Sequence, residues 1–219
     1  MTEEQWLACT DPVEMLRFVR ERASDRKVRL FFCACCRGER YAVCPQGRAA
    51  VGTAEALADG QANEAERRSA SSVIARLVQS FLPDDGRWSA YPLIAWSLLS
   101  IEDARDFMTW GSPNVIGLAS SEGVIAALRD LFGPVLFRHT PPFAPSLLSW
   151  NGGTVKRLAE AAYEERLIPA GHLDTARLSI LSDALEEAGC TDADLLSHLR
   201  SPGPHVRGCW AIDLILGKG

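Results

Sequence analysis

The chain has 219 residues, 47% of them hydrophobic and 23% charged, and its formal net charge at pH 7 is −5. These proportions are typical of a soluble globular protein that buries roughly 70% of its unfolded surface. The acidic balance argues against non-specific binding to nucleic acid or to an anionic membrane. The sequence contains no run of about 18 apolar residues that would predict a membrane span.

The first residues and the cysteines indicate the compartment. Residues 1–5 are acidic overall and lack the apolar core of a signal peptide. The seven cysteines are an odd number, and without an export signal they indicate reduced thiols rather than a disulfide framework. We therefore expect a cytoplasmic protein.

Capping residues and apolar periodicity predict a succession of helices in the first half of the chain. Thr2 with Gln5 has the pattern of a capping box, and Asp11 followed by Pro12 begins a second helix over 13–22. A third helix is predicted over 25–40. Further helices are predicted from about 45 to 60, from 63 to 82, over 88–99, over 102–110, and from Ser120 or Ser121 to Gly133.

The second half is predicted to be helical as well, except for 134–145. That segment has four prolines and is the candidate internal linker. Residues 151–154 predict a turn before a helix to about 166, Asp174 begins another, and Thr191 with Asp194 begins one to Leu199. No long segment alternates with period two, so we predict an all-α fold, one domain over 1–219 with about ten or eleven helices.

The last predicted helix, 205–216, is the element around which we expect the chain to fold. Residues 201–204 break the backbone before it, and Gly217 can end it in the left-handed conformation. A helix that is apolar on nearly all sides is normally buried on several faces, so Arg207 and Asp213 should pair with charges elsewhere. We expect it to pack against the third helix, which would join the N- and C-terminal segments in one core.

The third predicted helix combines cysteines with arginines. On a helical wheel, Cys33 and Cys36 lie on the arginine-rich face, whereas Cys35 lies with the apolar residues. The segment 14–40 has eight basic and four acidic residues in an otherwise acidic chain. The candidate partner-binding residues are therefore Arg22, Arg26, Arg29, Arg37 and Arg40.

Two pairs of residues have the helical spacing of metal ligands. Cys33 with Cys36 and His205 with Cys209 would together provide four ligands that zinc accepts. The pairs are far apart in sequence, whereas structural zinc ligands usually come from compact motifs. Three interpretations therefore stay open for the thiols: a zinc site, a redox pair favoured by the arginines, and small side chains buried in the core. An alternative for His205 is a hydrogen bond to a neighbouring backbone group.

Four segments resemble a known family: EQWLACTDP at 4–12, SDRKVRLFFCACC at 24–36, DALEEAGC at 183–190 and GPHVRGCW at 203–210. They are similar to a large paralogous family of uncharacterised bacterial proteins, found in many copies in certain large bacterial genomes. The resemblance implies a shared pattern that favours the metal interpretation, but it implies no substrate. The residues of that pattern are Cys33, Cys36, Cys190, His205 and Cys209.

Motifs of hydrolases, zinc proteases, phosphate loops and dinucleotide sites are missing from the sequence. We therefore expect a non-catalytic cytoplasmic interaction or scaffold module that binds a protein partner, either without a cofactor or with zinc. One alternative is a zinc-stabilised helical domain, and another is a thiol-redox protein using Cys33 and Cys36. A further alternative, nucleic-acid binding through the basic N-terminal helix, fits the net charge less well.

Overall fold

The computed structural model describes residues 1–37, 45–80, 120–138 and 143–218. Within these ranges the protein has ten α-helices, a short 3-10 helix and one two-residue bridge between Leu167 and His172. The all-α prediction is confirmed. The helices predicted over 88–99 and 102–110 lie outside the described residues. None of the described helices has the length and hydropathy needed to cross a membrane.

Contacts divide the chain into two compact units, Met1–Leu128 and Arg129–Gly219, here called the N-terminal and C-terminal units. The predicted linker 134–145 lies inside the C-terminal unit, and its first residues belong to the 3-10 helix Gly133–Leu136. The α-helices in chain order are α1 (Glu3–Ala8), α2 (Pro12–Val19), α3 (Asp25–Arg37), α4 (Pro45–Ala58), α5 (Glu64–Ser80), α6 (Ser121–Phe132), α7 (Pro145–Glu164), α8 (Thr175–Glu187), α9 (Ala193–Leu199) and α10 (Trp210–Leu216).

Capping boxes begin two helices of the N-terminal unit where the sequence predicts them. Thr2 and Gln5 form both hydrogen bonds of a capping box at α1. Asn63 and Glu66 do the same at α5, with lengths of 2.8 and 3.0 Å. These bonds satisfy N–H groups that the first turn of a helix leaves without an intrahelical partner.

α3 packs against α4, and α4 against α5. Two ion pairs hold α3 against α4. Arg37 pairs with Glu55 of α4 at 2.7 Å, and Arg26 pairs with Asp59, the residue that follows α4, at 2.8 Å. The three cysteines of α3 are all buried. The helical wheel predicts that Cys35 alone lies with the apolar residues. In the structure, burial does not distinguish Cys35 from the other two cysteines.

The turn predicted over 151–154 lies inside α7. Residues 150–153 have non-helical backbone angles, and Asn151, Gly152 and Gly153 all have positive φ. Glycine adopts this conformation without steric cost, and asparagine tolerates it better than most residues. The turn therefore divides α7 into two helical stretches. The sequence predicts the turn and the second stretch, but not the first, which begins at Pro145.

The predicted start of α9 is wrong by one residue. The cap is Asp192 rather than Thr191, because the Asp192 Oδ1 atom accepts the Leu195 N–H at 3.0 Å.

The predicted start of the last helix at 205 is also wrong, since α10 begins at Trp210. Gly203 and Gly208 have φ values of 81° and 87°, which interrupt a right-handed helix. The His205 carbonyl accepts the Leu173 N–H at 2.9 Å instead of bonding within a helical turn. Residues 203–209 therefore form a loop that leads into α10, referred to below as the pre-α10 loop.

α10 is nonetheless buried at the core of the C-terminal unit, where it packs against α7 and α9. Arg207 pairs with Glu164 at 3.2 Å and lies 4.4 Å from the ring centroid of Tyr163, which confirms that it finds a charge elsewhere. α3 belongs to the N-terminal unit, so its predicted packing against the last helix stays a prediction.

Candidate metal centre

Four potential metal ligands converge in the C-terminal unit: Asp130, His198, His205 and Cys209. One ligand atom from each residue lies within 4.8 Å of the others. Asp130 comes from the end of α6, His198 from α9, His205 from the pre-α10 loop and Cys209 from the N-cap of α10. Residues from four separate segments thus form one group that could hold a metal ion.

The shortest ligand-to-ligand distances are close to those around a single ion. Asp130 Oδ1 lies 2.8 Å from His205 Nδ1 and 3.1 Å from His198 Nε2. His198 Nε2 also lies 3.1 Å from Cys209 Sγ. Around tetrahedral zinc, bond lengths of about 2.0–2.3 Å separate ligand atoms by about 3.3–3.8 Å. Small outward shifts of these side chains would therefore accommodate the ion.

The surroundings of His205 determine which ring nitrogen faces the group. Nε2 lies 3.1 Å from the Ser201 carbonyl oxygen, which can only accept, so Nε2 carries a hydrogen. In the neutral ring, Nδ1 then directs a lone pair at the Asp130 carboxylate, 2.8 Å away. In the metal-free protein this contact is therefore a hydrogen bond from a second proton on Nδ1, and a bound metal ion would replace that proton. Metal-ligating histidines commonly donate their other N–H to a carbonyl in this way.

The Asp130 carboxylate is buried but held in its charged form. Burial by itself would raise its pKa, but hydrogen bonds from His198 and His205 and the charge of those rings lower the pKa below the ordinary value. Conversely, burial would lower the pKa of His205, whereas the hydrogen bond and charge of Asp130 raise it. The second Asp130 oxygen accepts the Val206 N–H at 2.7 Å. The carboxylate is therefore oriented and anionic, as a metal ligand must be.

Three of the four residues are closed off from solvent: Asp130 is 4% exposed, His205 1% and Cys209 0%. The His198 side chain is 18% exposed. Its ring contacts the ring of Trp210, with centroids 4.9 Å apart, and the ring of His205, with centroids 4.8 Å apart. The group is thus enclosed by protein and reaches solvent at His198.

Ser201, His205 and Asp130 also follow the hydrogen-bond order of a serine triad, since Ser201 Oγ lies 3.2 Å from His205 Nε2. However, the Ser201 hydroxyl donates to the His198 carbonyl at 2.8 Å, and the Ser201 N–H bonds to the same oxygen at 3.0 Å. Ser201 lies just past the C-terminal end of α9, where the helix dipole disfavours an oxyanion. This arrangement does not favour acyl transfer.

The structure brings together two of the four predicted zinc ligands. His205 and Cys209 meet because of the pre-α10 loop rather than through helical spacing. Cys33 and Cys36 belong to the N-terminal unit, so the mixed four-ligand set stays a prediction.

Sequence reasoning missed Asp130 and His198. Asp130 could have been recognised as a charged residue among apolar positions of α6, because Leu128 and Leu131 beside it are buried. His198 is one of four histidines that are scattered along the chain, and it carries no comparable signal.

Four of the five candidate partner-binding arginines lie in described residues, and all four make contacts within the N-terminal unit. Arg26 and Arg37 form the two ion pairs described above. Arg22 donates to the Phe18 carbonyl at 2.8 Å and lies over the Phe18 ring. Arg29 is sufficiently buried that desolvation lowers the pKa of its guanidinium below the ordinary value. Arg40 is outside the described residues, and partner binding through this set stays a prediction.

Cys35 and Cys36 of α3 are in an environment that disfavours thiolate. Burial raises the pKa of Cys35 to about 12 and raises that of Cys36 well above its ordinary value. Reactive redox cysteines have the opposite shift. None of the six cysteines in the described ranges forms a disulfide, which agrees with the predicted reduced thiols.

No protein-family model, curated protein or solved structure matches this chain. The resemblance to a paralogous bacterial family therefore stays a prediction. The chemistry of the site follows from its geometry alone.

Proposed function

We propose that the protein is a zinc-stabilised helical module, whose C-terminal unit is held together by one ion bound to Asp130, His198, His205 and Cys209. The convergence of these four ligand atoms within 4.8 Å carries the proposal. One carboxylate, two imidazoles and one thiolate suit zinc, because magnesium and calcium require mainly oxygen ligands. Zinc also accepts four ligands in a tetrahedron without imposing further geometry.

The proposed role of the ion is structural and non-catalytic. Structural zinc sites fill all four positions with protein ligands, whereas catalytic sites leave one for water or substrate. Here four side chains are available, and three of them are at most 4% exposed. An ion bound to all four would link the end of α6 to α9 and to the start of α10. In this proposal the zinc maintains a folded surface that binds a protein partner.

Metal analysis of the purified protein tests the proposal. We expect about one zinc per chain, and a loss of most of it in the variants Asp130→Asn, His205→Ala and Cys209→Ser. The matched control is Cys190→Ser, which changes a buried thiol of the same unit that lies outside the group. A wild-type protein that binds no zinc on reconstitution would contradict the proposal, as would equal loss in Cys190→Ser and Cys209→Ser.

Cobalt substitution identifies the ligands directly. Tetrahedral Co²⁺ bound to one thiolate should show a sulfur-to-cobalt charge-transfer band that Cys209→Ser removes. The double variant Cys33→Ser/Cys36→Ser should keep the band and the zinc. If the double variant loses both and Asp130→Asn keeps both, the mixed ligand set of the two cysteine-containing segments is correct instead.

A further inference from the structure

A close contact beside the candidate metal centre joins two of its segments. Gly133, three residues after Asp130, has a φ of 43°, and a Cβ atom added there would lie 2.3 Å from Trp210 Cδ1 and 2.6 Å from Trp210 Cγ. Real Cβ atoms essentially never approach another heavy atom this closely. The Trp210 indole therefore lies directly on the backbone of Gly133. Any other residue at position 133 would bring a Cβ atom into the space that the indole occupies.

Trp210 is also connected to two of the proposed metal ligands, Cys209 and His198. Trp210 follows Cys209 in the chain, and its ring lies 4.9 Å from the ring of His198. It is 5% exposed, so it cannot swing into solvent without opening the unit. Since Cγ is the first ring atom, rotating the ring about its bond to Cβ would not relieve a clash there. A displacement of Trp210 would therefore move the N-cap of α10 or the packing of His198.

We propose that Gly133 and Trp210 form a positioning contact that sets the spacing of the metal ligands and thereby the zinc affinity. This inference rests on the proposed function of the site. Outer residues that orient metal ligands typically change metal affinity 10–100-fold when they are altered. Gly133 and Trp210 act in this way through Asp130, Cys209 and His198, and neither residue binds the metal.

The variant Gly133→Ala tests the contact, and Gly189→Ala is its matched control. Both glycines lie in the C-terminal unit with positive φ, but a Cβ at Gly189 meets nothing within 4 Å. Both variants therefore carry the strain of a side chain in a left-handed backbone conformation, and Gly133→Ala alone displaces the indole. We expect zinc affinity, measured by competition with a chromophoric chelator, to fall at least about 10-fold in Gly133→Ala and to stay at the wild-type value in Gly189→Ala.

The cobalt spectrum separates positioning from a general loss of stability. Gly133→Ala should shift the visible cobalt bands because the ligand geometry changes, whereas Gly189→Ala should keep them. If Gly133→Ala does not fold, Trp210→Phe provides the second test, since a smaller ring loosens the contact and should also lower affinity.

Two results would overturn the inference. Wild-type affinity and an unchanged spectrum in Gly133→Ala or, where that variant does not fold, in Trp210→Phe would leave the zinc site but remove the positioning role. A wild-type protein that binds no zinc would remove both.

Discussion

At the residue scale, the carboxylate of Asp130 connects two elements to the end of α6. It accepts hydrogen bonds from the rings of His198 and His205 and from the Val206 N–H. A buried charge is tolerated only when it is paired and hydrogen-bonded, and removing one partner leaves the others without compensation. Asp130 should therefore matter for stability even in the metal-free protein.

We predict that Asp130→Asn lowers the free energy of unfolding of the metal-free protein by about 3 kcal/mol, because it neutralises one side of a buried charged pair. Urea unfolding in the presence of a chelator measures the change. The control is Asp183→Asn, whose side chain is 67% exposed and pairs with Arg200 at the surface. It should change stability by less than about 1 kcal/mol. Equal effects in the two variants would contradict the prediction.

The buried thiols of α3 lead to a second prediction at this scale. With a pKa of about 12, Cys35 is a thiolate in roughly one molecule in ten thousand at pH 8. We expect iodoacetamide to modify Cys35 and Cys36 of the folded protein far more slowly than the half-buried Cys9, as measured by peptide mass spectrometry. Rapid labelling of Cys36 would support the thiol-redox alternative instead. Labelling in denaturant is the control for intrinsic reactivity.

At the scale of elements, α9 carries His198 and depends on its cap for its first turn. Asp192 accepts the Leu195 N–H, whereas the neighbouring Thr191 is exposed and does not cap. We predict that Asp192→Ala lowers the free energy of unfolding by about 1 kcal/mol, whereas Thr191→Ala changes it by less than about 0.5 kcal/mol. Denaturant titration of both variants measures the difference. A larger loss of stability in Thr191→Ala than in Asp192→Ala would show that Thr191 is the cap, as the sequence predicts.

For the whole molecule, the proposed ion should stabilise the C-terminal unit selectively. A ligand that binds the folded state at 100 times its dissociation constant adds about 2.7 kcal/mol to the free energy of unfolding. We predict that zinc slows amide hydrogen exchange over 129–138 and 193–213 and leaves 25–37 unchanged, and that Cys209→Ser abolishes the effect. Zinc-dependent protection of 25–37 together with 205–209 would instead support the mixed ligand set.

Local features of the sequence determine most of the helices in the described residues. Thr2 with Gln5 and Asn63 with Glu66 cap helices through bonds that span only three residues, so the pattern is visible without the fold. Asn151 and the two following glycines specify a turn for the same reason. The error at Thr191 arises because two candidate caps are adjacent in the sequence. The error at 205 arises because a loop bonds to a distant segment.

The sequence also determines that the C-terminal segment is a buried core element and that Arg207 needs an ionic partner, because apolar composition sets burial. Only the tertiary structure decides which residues meet around His205. Asp130 lies 75 positions away along the chain, and His198 belongs to another helix. Their convergence depends on how α6, α9 and the pre-α10 loop pack, and packing is a property of side chains that are distant in sequence. Helical spacing predicts neighbours within one element, and this group of ligands comes from four segments.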